Sequence, residues 1–320
     1  MTDFRVATDI EECREIWRRT MPVELITDLW EVRECFQRHF KNPPYFVVSE
    51  DEKGLRGLLP LSWIEETKCY GYFPGETWHK KTWLEQNRIF SRNGIFPTLL
   101  DQCPSPYRLR YLLAAPDQTA MQAVVDEVGY LFLPPRYEYD IENYFQEFSQ
   151  KSSKRLKRDI SRIESLGVHY RYDNLSDFEH IMHLSINRFG QDSYFADPRF
   201  RESFRSLMHY LRDNGLLRIT AALINETPVA VDMGCIYRGT YTLLAGGTHA
   251  EYPGIAKLIN LHHMKYACEQ KLAIVDFLCG DFSWKTLFHL TPRPLHLMSD
   301  TPVQARDSQN LIMERMTLAE

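Results

Sequence analysis

The chain has no Cys-x-x-Cys pair, and its seven cysteines, Cys13, Cys35, Cys69, Cys103, Cys235, Cys268 and Cys279, stand singly. Their odd number and scattered spacing exclude a disulfide framework and predict reduced thiols in a cytoplasmic protein. No apolar run approaches the roughly 20 residues a membrane-spanning helix needs. The opening MTDFRVATDIEECREIW is polar and lacks the apolar core of a secretory signal, so none is expected. Positive charge is not in excess. The net charge of −5 argues against wholesale nucleic-acid binding and leaves room for a local basic patch. Metal-ligand spacing is missing too: His262 and His263, with Cys268 nearby, are the densest cluster, and adjacent histidines point different ways on a helix. No metal is expected.

What is present describes a globular protein. The 320 residues suffice for two domains with sizeable cores. Apolar residues make up 44% and charged ones 25%, which excludes a disordered chain. The aromatic content of 13% suits large cores and apolar clefts.

The first half reads as a short strand at 4–7, a helix to 19 capped by Thr8 or Asp9, and a second helix to 40 capped by Thr27 or Asp28. Strands follow at 45–49, 55–63 and 67–73, the first two joined by the turn DEKG. Further expectations are a helix at 82–92, strands at 95–100 and 108–114, a helix from Asp117 or Gln118 to 128, and strands at 129–134 and 136–141. The loop Trp78, His79, Lys80 and Lys81 reads equally as a solvated face and as a substrate wall. No catalytic constellation is visible in this half.

A helical segment at 140–149 leads into KSSKRLKRDISRIESLG. Lys151, Lys154, Arg155, Arg158 and Arg162 fall on one face of that helix, and Leu156, Ile160 and Ile163 on another. The cationic stripe is either a solvated outer face or the border of an anion-binding cleft. A strand at 167–172 and helices from Ser176-Asp177 and Asp197-Pro198 follow. Three strands at 216–224, 228–237 and 240–245 form an antiparallel meander. The third runs into GGTHAEYPGIA, residues 246–256, and a helix at 255–270. A strand at 273–278, the block CGDFSWK, a short helix to 290, a strand at 295–298 and a helix at 302–316 complete the reading. A strand that breaks into a glycine-containing turn at a helix start is an anion site in principle, because the first-turn N–H groups are free.

This element order resembles a GNAT (Gcn5-related) acyltransferase, and the first half follows a blurred version of it. The chain is similar to the FemAB-like and CelD-type branch of that superfamily, best over 144–290. The segments that carry the likeness are KSSKRLKRDISRIESLG, ETPVAVDMG, LLAGGTHAEY, PGIAKLINLHHMKYA and IVDFLCGDFSWK. The resemblance implies an α+β fold of tandem GNAT-like domains, each a mostly antiparallel sheet flanked by helices. Residues 1–149 are then the N-terminal domain, and residues 150–320 the acetyltransferase-type domain that opens with the basic helix. It implies an N-acyltransferase that moves an acyl group from acyl-coenzyme A to an amine of a small molecule, amino sugar or peptide. The alternatives are aminoacyl transfer from tRNA, as in Fem enzymes, and a non-catalytic binding module. The family's pyrophosphate loop maps to Gly254, Ile255 and Ala256, where Glu251 and the N–H-less Pro253 depart from the pattern and Lys257 can compensate.

Acyl transfer to an amine needs a proton acceptor, oxyanion donors and a stabilised leaving group. A splayed strand around Gly246 and Gly247 would supply backbone donors. His249 and Asp281 are candidate proton relays, and Lys285 a candidate oxyanion or phosphate partner. Asp232, between Val231 and Met233, is either the outward side of a strand or a base facing a cleft. Arg155, Arg158, Trp284 and Tyr252 are the substrate-binding candidates. Trp284 stands where the family often carries a tyrosine acid, a role that Tyr252 could take over.

Overall fold

The computed structural model describes residues 3–92, 94–113, 124–280 and 283–301. The chain divides into two compact units, Met1–Val128 with Glu202–Leu207 and Pro294–Glu320, and Gly129–Arg201 with Met208–Arg293. The fold is mixed α/β with largely antiparallel sheets, as expected.

In the first unit the chain forms β1 (Asp3–Ala7), α1 (Ile10–Thr20), α2 (Trp30–Phe40), β2 (Pro44–Asp51), β3 (Gly54–Ile64), β4 (Cys69–Tyr72), β5 (Phe90–Ser91), α3 (Phe96–Asp101) and β6 (Arg108–Leu112). Asp9 caps α1 by accepting from the N–H groups of Glu11 and Glu12. The antiparallel sheet runs β1-β2-β3-β4, with β5 also on β3. Its core is aromatic: Trp30 stacks on Phe73 at 5.0 Å, and Trp17 meets Trp30 edge-on at 6.1 Å.

Four expected elements of this half differ, among them the strand at 136–141, where Pro134–Tyr137 form a 3-10 turn opened by two prolines. Residues 82–92 form no helix before β5. The Glu76 carboxylate accepts the N–H groups of Trp83 and Leu84, and Asn87 exchanges backbone bonds with Tyr111 and Leu113, so the backbone is committed outward. Residues 95–100 are helical, because Pro97 sits in a first turn where its missing N–H costs nothing. Of the helix expected to end at 128, residues 124–128 are strand, and 114–123 lie outside the described residues.

The second unit continues through β7 (Val124–Phe132), α4 (Ile141–Phe145), α5 (Gln150–Glu164), β8 (His169–Tyr172), α6 (Asp177–Phe189), α7 (Pro198–Asp213), β9 (Leu217–Ile224), β10 (Thr227–Tyr237), β11 (Thr240–Thr248), α8 (Ile255–Glu269), β12 (Ile274–Asp276), α9 (Ser283–Leu287) and β13 (Thr291–Ser299). β7, α7 and β13 each have residues in both units, so the division is not a single cut. The helix expected at 302–316 lies outside the described residues.

Here the sheet order is β7-β12-β11-β10-β9-β8. The meander β9-β10-β11 is antiparallel, whereas β11 and β12 are parallel, as the intervening helix α8 requires. Gly246 and Gly247 face opposite sides of β11. Gly247 packs under Leu184 and Ile181 of α6, and Gly246 lies on the side that α8 covers. The sheet is therefore sandwiched between α6 and α8.

A candidate acyl-transfer site on the central sheet of the second unit

The site begins where two strands part. β12 pairs with β11 only at Thr240, Tyr241 and Thr242, while β11 runs on to Thr248. Among the described residues no strand covers that edge of 243–248. β12 itself ends at Asp276. This carboxylate is fully buried, and it accepts from the Leu278 N–H at 2.9 Å and from Arg293 at 2.7 Å. The next residues turn away, with Leu278 at φ 54° and Gly280 at φ 107°.

Lys285 holds that turn. It is 2% exposed, and its Nζ lies 2.9, 2.9 and 2.7 Å from the carbonyl oxygens of Phe277, Leu278 and Cys279. Three carbonyls match the three N–H donors of an ammonium. Lys285 thus clamps the backbone at the mouth of the splay, and its ammonium faces the Tyr130 ring at 5.3 Å. Trp284 packs edge-on against Phe277 and Phe288. Asp281 lies outside the described residues.

Asp232 projects from β10 opposite Gly246 of β11 and Thr220 of β9. A methyl group on Gly246 would collide with Asp232 Oδ1, so the glycine leaves the carboxylate room to lie across β11. Oδ2 is 2.9 Å from Nε2 of His263, whose Nδ1 is 3.1 Å from the Tyr241 hydroxyl. His263 and Tyr241 are fully buried, while the Asp232 side chain keeps 13% exposure beside the exposed Gly246. The Tyr241 ring lies in turn against Gly234 of β10, where a Cβ would fall 2.7 Å from its Cε2. A carboxylate only accepts, so Nε2 carries a proton, and in a neutral imidazole Nδ1 then accepts from the phenol. Burial pushes the Tyr241 phenol up, which keeps its O–H in place, while Arg218 opposes that shift.

Sequence reasoning singles out Asp232 and Gly246, weighs His263 only as one of a histidine pair, and does not name Tyr241. A signal existed: Ile259 and Ala267, four residues either side of 263, are apolar, so that position faces the core and needs a polar partner. His262 turns the other way. It stacks on Tyr170 at 3.9 Å, and burial, then its coupling to the neighbouring His263 and the charges of Arg218 and Lys265, push it down to about 3. No group of metal-ligating side chains occurs among the described residues.

The turn between β11 and α8 is closed. His249 accepts from the Glu251 N–H through Nδ1 at 3.3 Å and meets Tyr252 edge-on. Gly254 caps α8 at φ 97°, with Ile163 of α5 packed on it. Ile255 donates to Tyr252, and Lys257 and Leu258 donate to Gly254. Ile255 is buried and Ala256 partly so. The Lys257 ammonium pairs with Asp159 of α5 at 3.0 Å, a bond that holds the Asp159 carboxyl below its usual range, and Arg162 donates to the Pro253 carbonyl. Pro253 offers no N–H. This turn is poorly disposed to a pyrophosphate: the N–H groups of Ile255 and Lys257 are bonded, the Lys257 cation is paired with Asp159, and Ile163 covers the helix start. Arg155 and Arg158, by contrast, are exposed on the outer face of α5 with Lys151 and Lys154. None of the four makes an ion pair among the described residues.

The sheet thus opens between β11 and β12, with the Asp232 carboxylate at the opening. Residues 150–286 match the family model described as an acetyltransferase (GNAT) domain. Residues 150–286 thus carry a GNAT-type domain of an acyltransferase-type enzyme. Among curated proteins none matches it by sequence. Solved structures match its fold over nearly the whole chain. One is a conserved protein of unknown function from Bacteroides thetaiotaomicron, with 12% identity, 93% of this chain and 98% of that one covered, and a TM-score of 0.56. Another is the C-terminal domain of a protein assigned as a lysylphosphatidylglycerol synthetase from Agrobacterium fabrum (10%, 95% and 96%, 0.55). A third is FemX (8%, 92% and 96%, 0.53). No helix among the described residues is long and apolar enough to cross a membrane.

Proposed function

We propose that the protein is an N-acyltransferase that moves an acyl group from an activated donor to an amine of a small molecule, amino sugar or peptide. The observation that carries this reading is the Asp232 carboxylate at the open edge of β11. The amine nitrogen attacks the donor carbonyl carbon, and its proton passes to Asp232 Oδ1. Backbone N–H groups of 243–247 that face the open edge are read as the oxyanion donors, and the bond to the leaving group breaks as the carbonyl re-forms. Lys285 keeps the 277–279 turn fixed, and so keeps the opening from closing. Arg155, Arg158, Trp284, Tyr252 and His249 are read as surrounding binding groups. Residues 1–149 are read as a second GNAT-like domain. Seven free cysteines fit a reducing, cytoplasmic setting.

Acyl-coenzyme A is the donor that the family implies. With the start of α8 closed, the grip on such a donor must lie away from Gly254–Lys257. A panel of acyl-coenzyme A thioesters is the direct test. A bound donor at one hundred times its Kd would add about 2.7 kcal/mol of stability, and turnover with an amine panel would release free thiol. Asp232→Asn would abolish that turnover. No stabilisation and no thiol release with any thioester would count decisively against a coenzyme A donor.

One observation favours a second reading, aminoacyl transfer from tRNA: the unpaired cationic face of α5 beside a turn poorly disposed to a pyrophosphate. On that reading aminoacyl-tRNA binding weakens steeply with salt, and Arg155→Glu with Arg158→Glu flattens the slope by about two contacts. Salt-independent or absent tRNA binding removes it.

A further inference from the structure

His263 and Tyr241 sit in the layer between α8 and the sheet, and Ile259 and Ala267, one turn of α8 either side of His263, are buried with them. Burying an imidazole and a phenol in such a layer is costly unless each polar atom is matched. Here each is matched by the next: Tyr241 to His263, and His263 to Asp232. Two glycines on opposite strands make the space. Gly234 seats the phenol ring and Gly246 seats the carboxylate. The chain of three is dry at the tyrosine and reaches the surface only at the carboxylate, on the unpaired edge of β11. A structural filler would need neither the two glycines nor an outlet.

We infer that His263 and Tyr241 are positioning residues that fix the charge and aim of Asp232 as the proton acceptor of acyl transfer. This rests on the proposed reading of the site. Tyr241 donates to Nδ1 and so confines the imidazole proton to Nε2. His263 then donates from Nε2 to Oδ2, which favours the ionised carboxylate and leaves Oδ1 turned toward Gly246. The amine proton lands on Oδ1 and leaves from there to solvent. His263 gains and loses no proton in the cycle. The charged and titratable groups facing this chain are Arg218, Tyr266 and His262, whose ring lies 6.1 Å from that of His263. Arg218 stacks on Tyr266 at 3.6 Å, and Tyr266 lies 6.0 Å from the Tyr241 ring.

The test uses the full chain and two readouts. NMR of the Asp232 carboxyl carbon and of the imidazole nitrogens reads the titration without substrate. The pH profile of kcat/KM reads it in turnover. Wild-type protein should hold His263 neutral with its proton on Nε2. Tyr241→Phe and His263→Phe should raise the Asp232 titration and move the acidic limb of kcat/KM up by about one pH unit, with KM little changed. His263→Gln keeps a donor of similar reach and should restore both. Tyr241→Phe changes one atom, so it decides the matter if His263→Phe fails to fold. An Asp232 titration that stays put in folded Tyr241→Phe, or an imidazole proton found on Nδ1, overturns the inference. A carboxyl that shifts as stated in a protein that transfers no acyl group sinks the activity and leaves the positioning intact.

Discussion

The Asp232 carboxylate lies across Gly246 of the neighbouring strand, at the register position where any other residue would put a side chain. That vacancy lets the carboxylate reach both the solvent edge and the buried His263. Gly246→Ala should therefore push Oδ1 off its seat. If Asp232 is the base, kcat/KM should fall by about 10² or more. The coupling can be read without activity. Urea unfolding of Gly246→Ala should show a loss of about 1–3 kcal/mol from overpacking, and adding Asp232→Ala should relieve most of it. Strict additivity of the two substitutions would mean the collision is not what matters.

Lys285 is a second place to press. Its buried ammonium holds three carbonyls, so Lys285→Met leaves those acceptors unpaired at the end of β12. Equilibrium unfolding should report a loss of about 3 kcal/mol or more. A loss under about 1 kcal/mol would show that water replaces the ammonium freely and that the turn does not depend on it.

In the first unit, Glu76 is 2% exposed, and burial pushes its carboxyl up to about 7, against the N–H group of Leu84 and the charge of Arg33. A raised acid binds its proton more tightly folded than unfolded. Its contribution is fully present below the ordinary value of about 4.5 and is lost as pH rises to about 7. The full swing across that window is about 3 kcal/mol. Denaturant midpoints measured from pH 4.5 to 8 should fall in the wild type, and Glu76→Gln should flatten that fall. A profile identical in the two proteins would place the pH dependence elsewhere.

Gly254 answers for the turn into α8. Its φ of 97° is strained for any side chain, and Ile163 Cδ1 stands 2.7 Å from where a Cβ would be. Gly254→Ala should cost about 1–3 kcal/mol by thermal or urea unfolding. Shortening the neighbour with Ile163→Val frees the space but not the backbone, so it should return little of that loss. Full rescue would locate the whole cost in the contact.

Much of the architecture was legible where local chemistry and periodicity agreed. Asp9 and Asp197 cap their helices as their positions suggest, each accepting first-turn N–H groups. The meander β9-β10-β11 follows its turns at Asn225-Glu226 and Arg238-Gly239, all four at positive φ. The basic helix α5 buries Leu156, Ile160 and Ile163 and exposes Lys151, Lys154, Arg155, Arg158 and Arg162. Residues 82–92 were misread because a distant carboxylate, not local propensity, claims the N–H groups of Trp83 and Leu84. Lys257 was taken as a spare cation because nothing in the sequence brings Asp159, 98 residues away, to its ammonium.

By itself the sequence determined the order of strands and helices from the basic helix α5 to β13, the opposed faces of the amphipathic segments, and the likeness that rests on the block IVDFLCGDFSWK. These follow from periods and turn chemistry that act over a few residues. Only the tertiary structure decided which polar groups meet. Asp232, Tyr241 and His263 come from two strands and a helix, and no local rule pairs them; the strand register and the packing of α8 do. The same packing closed the turn at Gly254 and spent Lys257, since a free helix start and a spare cation exist only until another helix is laid across them.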